Sequence, residues 1–141
     1  MDALIMVLSA WIAMQTGLSV PQPPRVVHLS PDALHELTTT PSAQGERVRA
    51  LYGRGDRIIY LRTNWDSARL ADRSELVHEL VHHFQNVHAM PYPCNAARET
   101  LAYELQLKWL RDQGVADPHD LLQINDFFIV MTSVCRDESL D

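Results

Sequence analysis

The sequence predicts an α+β fold. A small antiparallel sheet of about three strands packs with a long helix and two helices that follow it, behind an apolar first helix. Three observations carry this. Residues 25–62 hold short segments rich in Val, Ile, Leu and Tyr, separated by Gly, Pro and Asp. From residue 66 onward, apolar side chains recur at helical spacing instead. The first sixteen residues contain an apolar run that ends at a glycine.

Taken in order, Asp2 to Thr16 reads as a buried helix stopped by Gly17, with Pro21-Gln22-Pro23-Pro24 as a stiff connector. The run Ala3 to Ala13 also imitates the core of a targeting segment. Against that reading, no Lys or Arg precedes it, and it is too short to span a bilayer. Arg25 to Leu29 has strand composition. Ser30 is an N-cap candidate for a short helix over Asp32 to Leu37, with Pro31 at its first position. Thr38 to Glu46 reads as loop. Val48 to Tyr52 and Ile58 to Arg62 flank the turn sequence Gly53-Arg54-Gly55-Asp56, which predicts a hairpin.

The second half is helical. One helix runs from Asp66 or Ser67 to about His88 and is broken by Met90-Pro91-Tyr92-Pro93. A second runs from about Ala96 to Gln113 and stops at Gly114. Asp117-Pro118 then caps a third, extending through about Val134. At 141 residues the chain has the length of one domain. It divides into an apolar helix (1–17), a Pro-rich connector (18–24), a sheet region (25–65) and a helical region (66–134).

Composition narrows the function. The chain is 46% apolar and 21% charged, with a net charge of −6, as expected of a soluble globular protein. Eleven of its twelve basic residues are Arg, scattered rather than striped, so nothing attracts a phosphate backbone. Neither nucleic acid nor stable membrane insertion is expected. The two cysteines, Cys94 and Cys135, form no CxxC pair and so no thiolate metal site. They either bridge, which requires an oxidising compartment, or stay as buried thiols in the cytoplasm.

The chemistry concentrates in His78-Glu79-Leu80-Val81-His82, an HExxH motif inside the long amphipathic helix. With seven His and seven Glu in the chain, chance placement gives this pattern only about 0.02 times. A helix turns about 100° per residue, so His78 and His82 lie one turn apart on one face. Two imidazoles placed that way can share a Zn²⁺ ion, and Glu79 can reach a water beside it as a general base. Gln85 continues the polar stripe. His83 is rotated away from the metal face and, with His88, reads as a surface or supporting residue.

Zinc at a catalytic site needs a third protein ligand. On the following helix Glu99, Tyr103 and Gln106 share one stripe at i, i+4 and i+7, whereas Glu104 is turned about 100° away. Facing the stripes His-His-Gln and Glu-Tyr-Gln builds a closed polar pocket, which favours Glu99 as third ligand over Glu104. Gln85 and Gln106 would then orient the ligands. Tyr103 suits either a hydrogen bond to a developing oxyanion or a supporting contact to a ligand. Arg62, Asn64 and Trp65 could line the cleft, or Trp65 could belong to a small satellite core.

With these residues in place, the sequence resembles the gluzincin branch of the zincin metallopeptidases. In that branch HExxH supplies two ligands and a base, and a downstream helix reading ExxA plus a polar residue supplies the third. Glu99-Thr100-Leu101-Ala102-Tyr103 fits, with Tyr in the last place. The chain also resembles, over most of its length, a family of short bacterial proteins that combine HExxHxxQ with a Cys-preceded ExxAYxxQ helix. The metzincin pattern does not fit, because the Gly and third His of HExxHxxGxxH are missing. The resemblance implies a zinc-dependent hydrolase acting on a peptide or protein substrate, paired along Ile58 to Arg62 or its hairpin partner. The chain is short for a gluzincin, so the cleft should be shallow. A non-catalytic, zinc-stabilised binding module is the other reading.

Overall fold

A computed structural model of the chain describes residues 1–38 and 48–136. The expected loop from Thr38 to Glu46 lies almost wholly outside these. The described elements are α1 (Asp2–Thr16), β1 (Arg25–Leu29), α2 (Pro31–Leu37), β2 (Ala50–Gly53), β3 (Ile58–Arg62), α3 (Leu70–Val87), α4 (Glu99–Asp112), α5 (Pro118–Leu122) and α6 (Asp126–Ser133). A 3-10 turn over Asn95–Arg98 leads into α4. Among the described residues the fold is α+β with a three-stranded sheet and six α-helices.

The sheet departs from the expected antiparallel arrangement. Its order is β1-β3-β2, and β1 runs parallel to β3 while β2 is antiparallel to it. The turn sequence correctly announced the β2–β3 hairpin, but nothing in β1 itself specifies the direction of its partner. Ile59 and Leu61, which alternate on one face of β3, are completely buried, so β3 takes the centre. On the other side of β2 no strand is paired among the described residues.

The core gathers Ile5, Leu8 and Ile12 of α1, the β3 pair, and Leu76, Val77, Leu80, Val81 and Phe84 of α3. Ala102, Leu105, Trp109 and Leu110 of α4 complete it. The apolar N-terminal run is therefore a helix packed on the core, closed by Gly17 in the left-handed region (φ 75°). No helix among the described residues is long and apolar enough to cross a membrane. Ser30 caps α2 through Ala33 N, as anticipated.

Two helix boundaries differ from expectation. The motif helix begins at Leu70, later than Asp66 or Ser67, because Trp65 to Arg69 fold as a turn that its first turn holds. Trp65 Nε1 donates to the Asp72 carbonyl at 2.8 Å, and Asp66 N donates to Asp72 Oδ2 at 2.8 Å. The helix expected through Val134 is two helices. Gln123 takes a left-handed conformation (φ 55°), and Asn125 starts α6 by accepting from Phe128 N. Cys94 is bonded to Cys135, with their Cα atoms 5.7 Å apart. The bridge ties the end of α6 to the segment before α4.

Candidate metal centre

His78 and His82 project from one face of α3, their rings 4.9 Å apart, toward Glu99 at the first position of α4. His78 Nε2 lies 2.9 Å from Glu99 Oε2 and His82 Nε2 lies 3.0 Å from Glu99 Oε1. The three ligand atoms all fall within 4.8 Å of one another, so the triad could hold a metal ion. Glu104, the alternative acid, points to solvent.

The surrounding hydrogen bonds decide which ring nitrogens carry protons. Gln85 Nε2 donates to the Arg98 carbonyl at 3.0 Å and to the Tyr92 hydroxyl at 2.9 Å. A carbonyl only accepts, so the amide is oriented with Oε1 toward His82 Nδ1, 2.8 Å away. That nitrogen must donate. On the other ring, Ser74 spends its hydroxyl proton on the Ala71 carbonyl and accepts from Gln106 Nε2. Gln106 Oε1 therefore faces His78 Nδ1 at 2.9 Å, and this nitrogen donates too. With both Nδ1 protonated, each neutral ring presents a bare Nε2 lone pair to a carboxylate oxygen. Such contacts need a cation between them, either one proton at each ring or one dication serving both. Two imidazoles and a carboxylate, each buttressed from behind, are a donor set that fits Zn²⁺.

Electrostatics agree with that demand. Burial opposes ionisation of Glu99, but hydrogen bonds from both rings outweigh it and hold the carboxyl below the usual carboxylate range. Burial likewise opposes charging His82, yet Glu99 lifts the ring to about 9. Glu79 sits beside the triad, 8% exposed. Burial holds its carboxyl above the usual carboxylate range and Glu99 adds to this, while the two rings and a hydrogen bond from the Tyr52 backbone oppose the shift without cancelling it. Tyr103 packs edge-on against His78, ring centres 4.5 Å apart, and Phe128 of α6 packs against Tyr103 at 6.0 Å. Burial, then Glu99, Glu79 and Glu75, raise the Tyr103 phenol, so near neutral pH it stays a neutral hydroxyl that can donate or accept a hydrogen bond.

His83, together with Asp72 and Glu75, which the sequence left aside, also shapes the site. His83 is buried rather than on the surface: Nε2 donates to the Gln22 carbonyl at 2.7 Å, leaving Nδ1 to accept from the Tyr52 hydroxyl at 2.7 Å. It ties the Pro-rich connector to β2 and does not join the triad. Asp72 is buried and paired with Arg49 at 3.1 Å. Glu75 lies one helical turn before Glu79, and burial lifts its carboxyl to about 8. A run of acids at i and i+4 beside HExxH was the signal available for Glu75. His83 and Asp72 find partners distant in sequence, so no local pattern announces them.

The residues suggested for the cleft divide. Trp65 belongs to the core, Asn64 is exposed, and Arg62 is half-buried. Two cavities, of about 420 and 320 Å³, lie at the α1–Trp65 corner and beside His83, and neither is lined by the triad.

A family model described as "Domain of unknown function (DUF6647)" matches residues 1–140, and the chain belongs to that family. No curated protein and no solved structure matches it.

Proposed function

We propose that this member of the DUF6647 family is a zinc-dependent hydrolase of the gluzincin type that cuts peptide bonds. The observation that carries the reading is the pair of imidazoles, each locked by a glutamine so that Nε2 faces Glu99, with Glu79 buried alongside. A purely structural site needs ligands but no such carboxylate.

Zinc, when bound by His78, His82 and Glu99, supplies Lewis-acid polarisation of a carbonyl and makes water acidic enough to lose a proton near neutral pH. Glu79 receives that proton and delivers it to the leaving amine. Its partly desolvated carboxylate suits a base that must also act as an acid. The Tyr103 hydroxyl, kept protonated, donates to the oxygen on which charge develops.

Substrate positioning falls to the edge of the sheet. Arg62 N donates to the Arg49 carbonyl at 3.0 Å, which sets the ladder so that residues 49, 51 and 53 bond to β3. The peptide groups of Ala50 and Tyr52 then face the open edge; the Tyr52 N–H is engaged by Glu79, and the other groups can pair with an extended peptide. β3, at the centre, has no free edge. The Cys94–Cys135 bridge fits a working place in an oxidising compartment.

The chain, at 141 residues, is short for a gluzincin, which favours a second reading, a non-catalytic module that zinc stabilises. Cleavage of a peptide library by zinc-loaded protein and by Glu79→Gln separates the two. The hydrolase reading expects cleavage that the variant loses by at least about 10²-fold; zinc binding with no cut peptide would favour the module.

A further inference from the structure

The following rests on the hydrolase reading and gives the chemistry of its substrate. Arg54, in the β2–β3 turn, and Arg98, the residue before Glu99, come together at one end of the site. Both guanidinium groups donate to the same oxygen, Asn95 Oδ1, at 2.5 and 3.2 Å. Arg98 also lies over the Tyr92 ring, 4.9 Å from its centre. A single neutral amide oxygen uses two of the ten N–H donors and compensates neither charge. Among the described residues, no carboxylate forms an ion pair with either arginine. Two like charges held together without a counterion leave a planar, multidentate anion receptor.

The backbone fixes this pair relative to the metal centre. The Arg98 carbonyl accepts from Gln85, which orients His82, and the Arg54 carbonyl accepts from Asn86 Nδ2 at 3.0 Å. Asn86 also donates to the Tyr52 hydroxyl at 3.1 Å. Arg54 follows Tyr52 by two positions, in the turn that begins where β2 ends at Gly53, so a chain extended along the open edge of β2 runs toward it about two residues past Tyr52.

We propose that Arg54 and Arg98 form a carboxylate subsite, so that the substrates are peptides bearing an acidic group about two residues from the bond cut. That group is either an Asp or Glu side chain or a free C-terminal carboxylate. Acetylated peptides carrying one Asp at successive positions, each with an Asn counterpart and with an amidated or free C-terminus, test this on the zinc-loaded full chain. Cleavage is measured with the native protein, and binding by calorimetry with Glu79→Gln. In one register, the carboxylate peptide should bind and be cut at least about tenfold better than its neutral counterpart, the size of one charge-assisted hydrogen bond. Preference that survives amidation assigns the side chain, and preference that amidation removes assigns the terminus. Arg54→Gln and Arg98→Gln should each bring the ratio close to one, with zinc content and melting temperature unchanged. Cleavage without carboxylate preference, or a preference that both variants retain, overturns the subsite while leaving the hydrolase. Arginine-dependent binding without cleavage overturns the hydrolase and keeps the subsite. Neither binding nor cleavage overturns both.

Discussion

Gln85 governs His82. Because its amide nitrogen is spent on the Arg98 carbonyl and the Tyr92 hydroxyl, its oxygen must accept from His82 Nδ1, 2.8 Å away. A buried side chain with almost no freedom thereby chooses the tautomer that leaves Nε2 open toward Glu99. Gln106 does the same for His78 from the opposite helix.

Gln85→Leu and Gln106→Leu should therefore weaken zinc binding by about 10–100-fold each, as loss of a ligand's hydrogen-bond partner does. Competition against a chelator of known affinity measures this. Retention of native affinity by both variants would mean that the glutamines do not set the tautomers.

Glu99→Ala removes the proposed third ligand, and zinc should be lost on dialysis, whereas Glu104→Ala should keep its full complement because Glu104 points to solvent. Equal retention by the two variants would contradict the assignment of Glu99.

The polar stripes on α3 and α4 were legible because helical periodicity is a local rule: 78, 82 and 85 on one helix and 99, 103 and 106 on the next fall on facing sides. What periodicity could not deliver was anything settled by distant partners. Whether His83 was a surface or a supporting residue stayed open, since its acceptor at Gln22 is 61 positions away and its donor Tyr52 is 31 away. The direction of β1 depends on β3, far along the chain. The break at Gln123 required a left-handed conformation at a residue that carries no glycine-like signal. The cysteines left two states open, and the approach of α6 to the segment before α4 decided for the bridge.

Tyr52→Phe removes the donor to His83 without changing the packing of the ring. It should cost about 1 kcal/mol in denaturant unfolding, the usual worth of a partly buried hydrogen bond, with zinc content intact. A change below about 0.3 kcal/mol would argue that His83 gains nothing from Tyr52.

Glu75 should make stability fall at alkaline pH. Burial raises its carboxyl from 4.5 to about 8, Arg49 opposes this, and Asp72 and Glu79 add to it. The folded protein thus holds this proton more tightly than the unfolded chain. Its contribution to stability is complete below about 4.5 and is lost as pH rises through about 8. Glu75→Gln, which keeps the neutral form at every pH, should melt above the native protein at pH 9 and level with it at pH 4. Parallel pH profiles for the two proteins would contradict the burial of a neutral Glu75.

Reducing the bridge, or replacing Cys94 and Cys135 by Ser, releases a loop with a sequence separation of 41. Chain-entropy reasoning puts the loss at about 3–4 kcal/mol in unfolding free energy. The same change frees α6, whose Phe128 packs on Tyr103, so the proposed hydrolase activity should fall with stability. Full activity in the double Ser variant would show that α6 contributes nothing to the site.

The most direct measurement is an anomalous difference map at the zinc edge from crystals grown with zinc. The account predicts one strong peak bonded to His78 Nε2, His82 Nε2 and a Glu99 oxygen at about 2.0–2.2 Å. A map with no peak there, or a peak bound to His83 or Glu104 in place of these three, would contradict it.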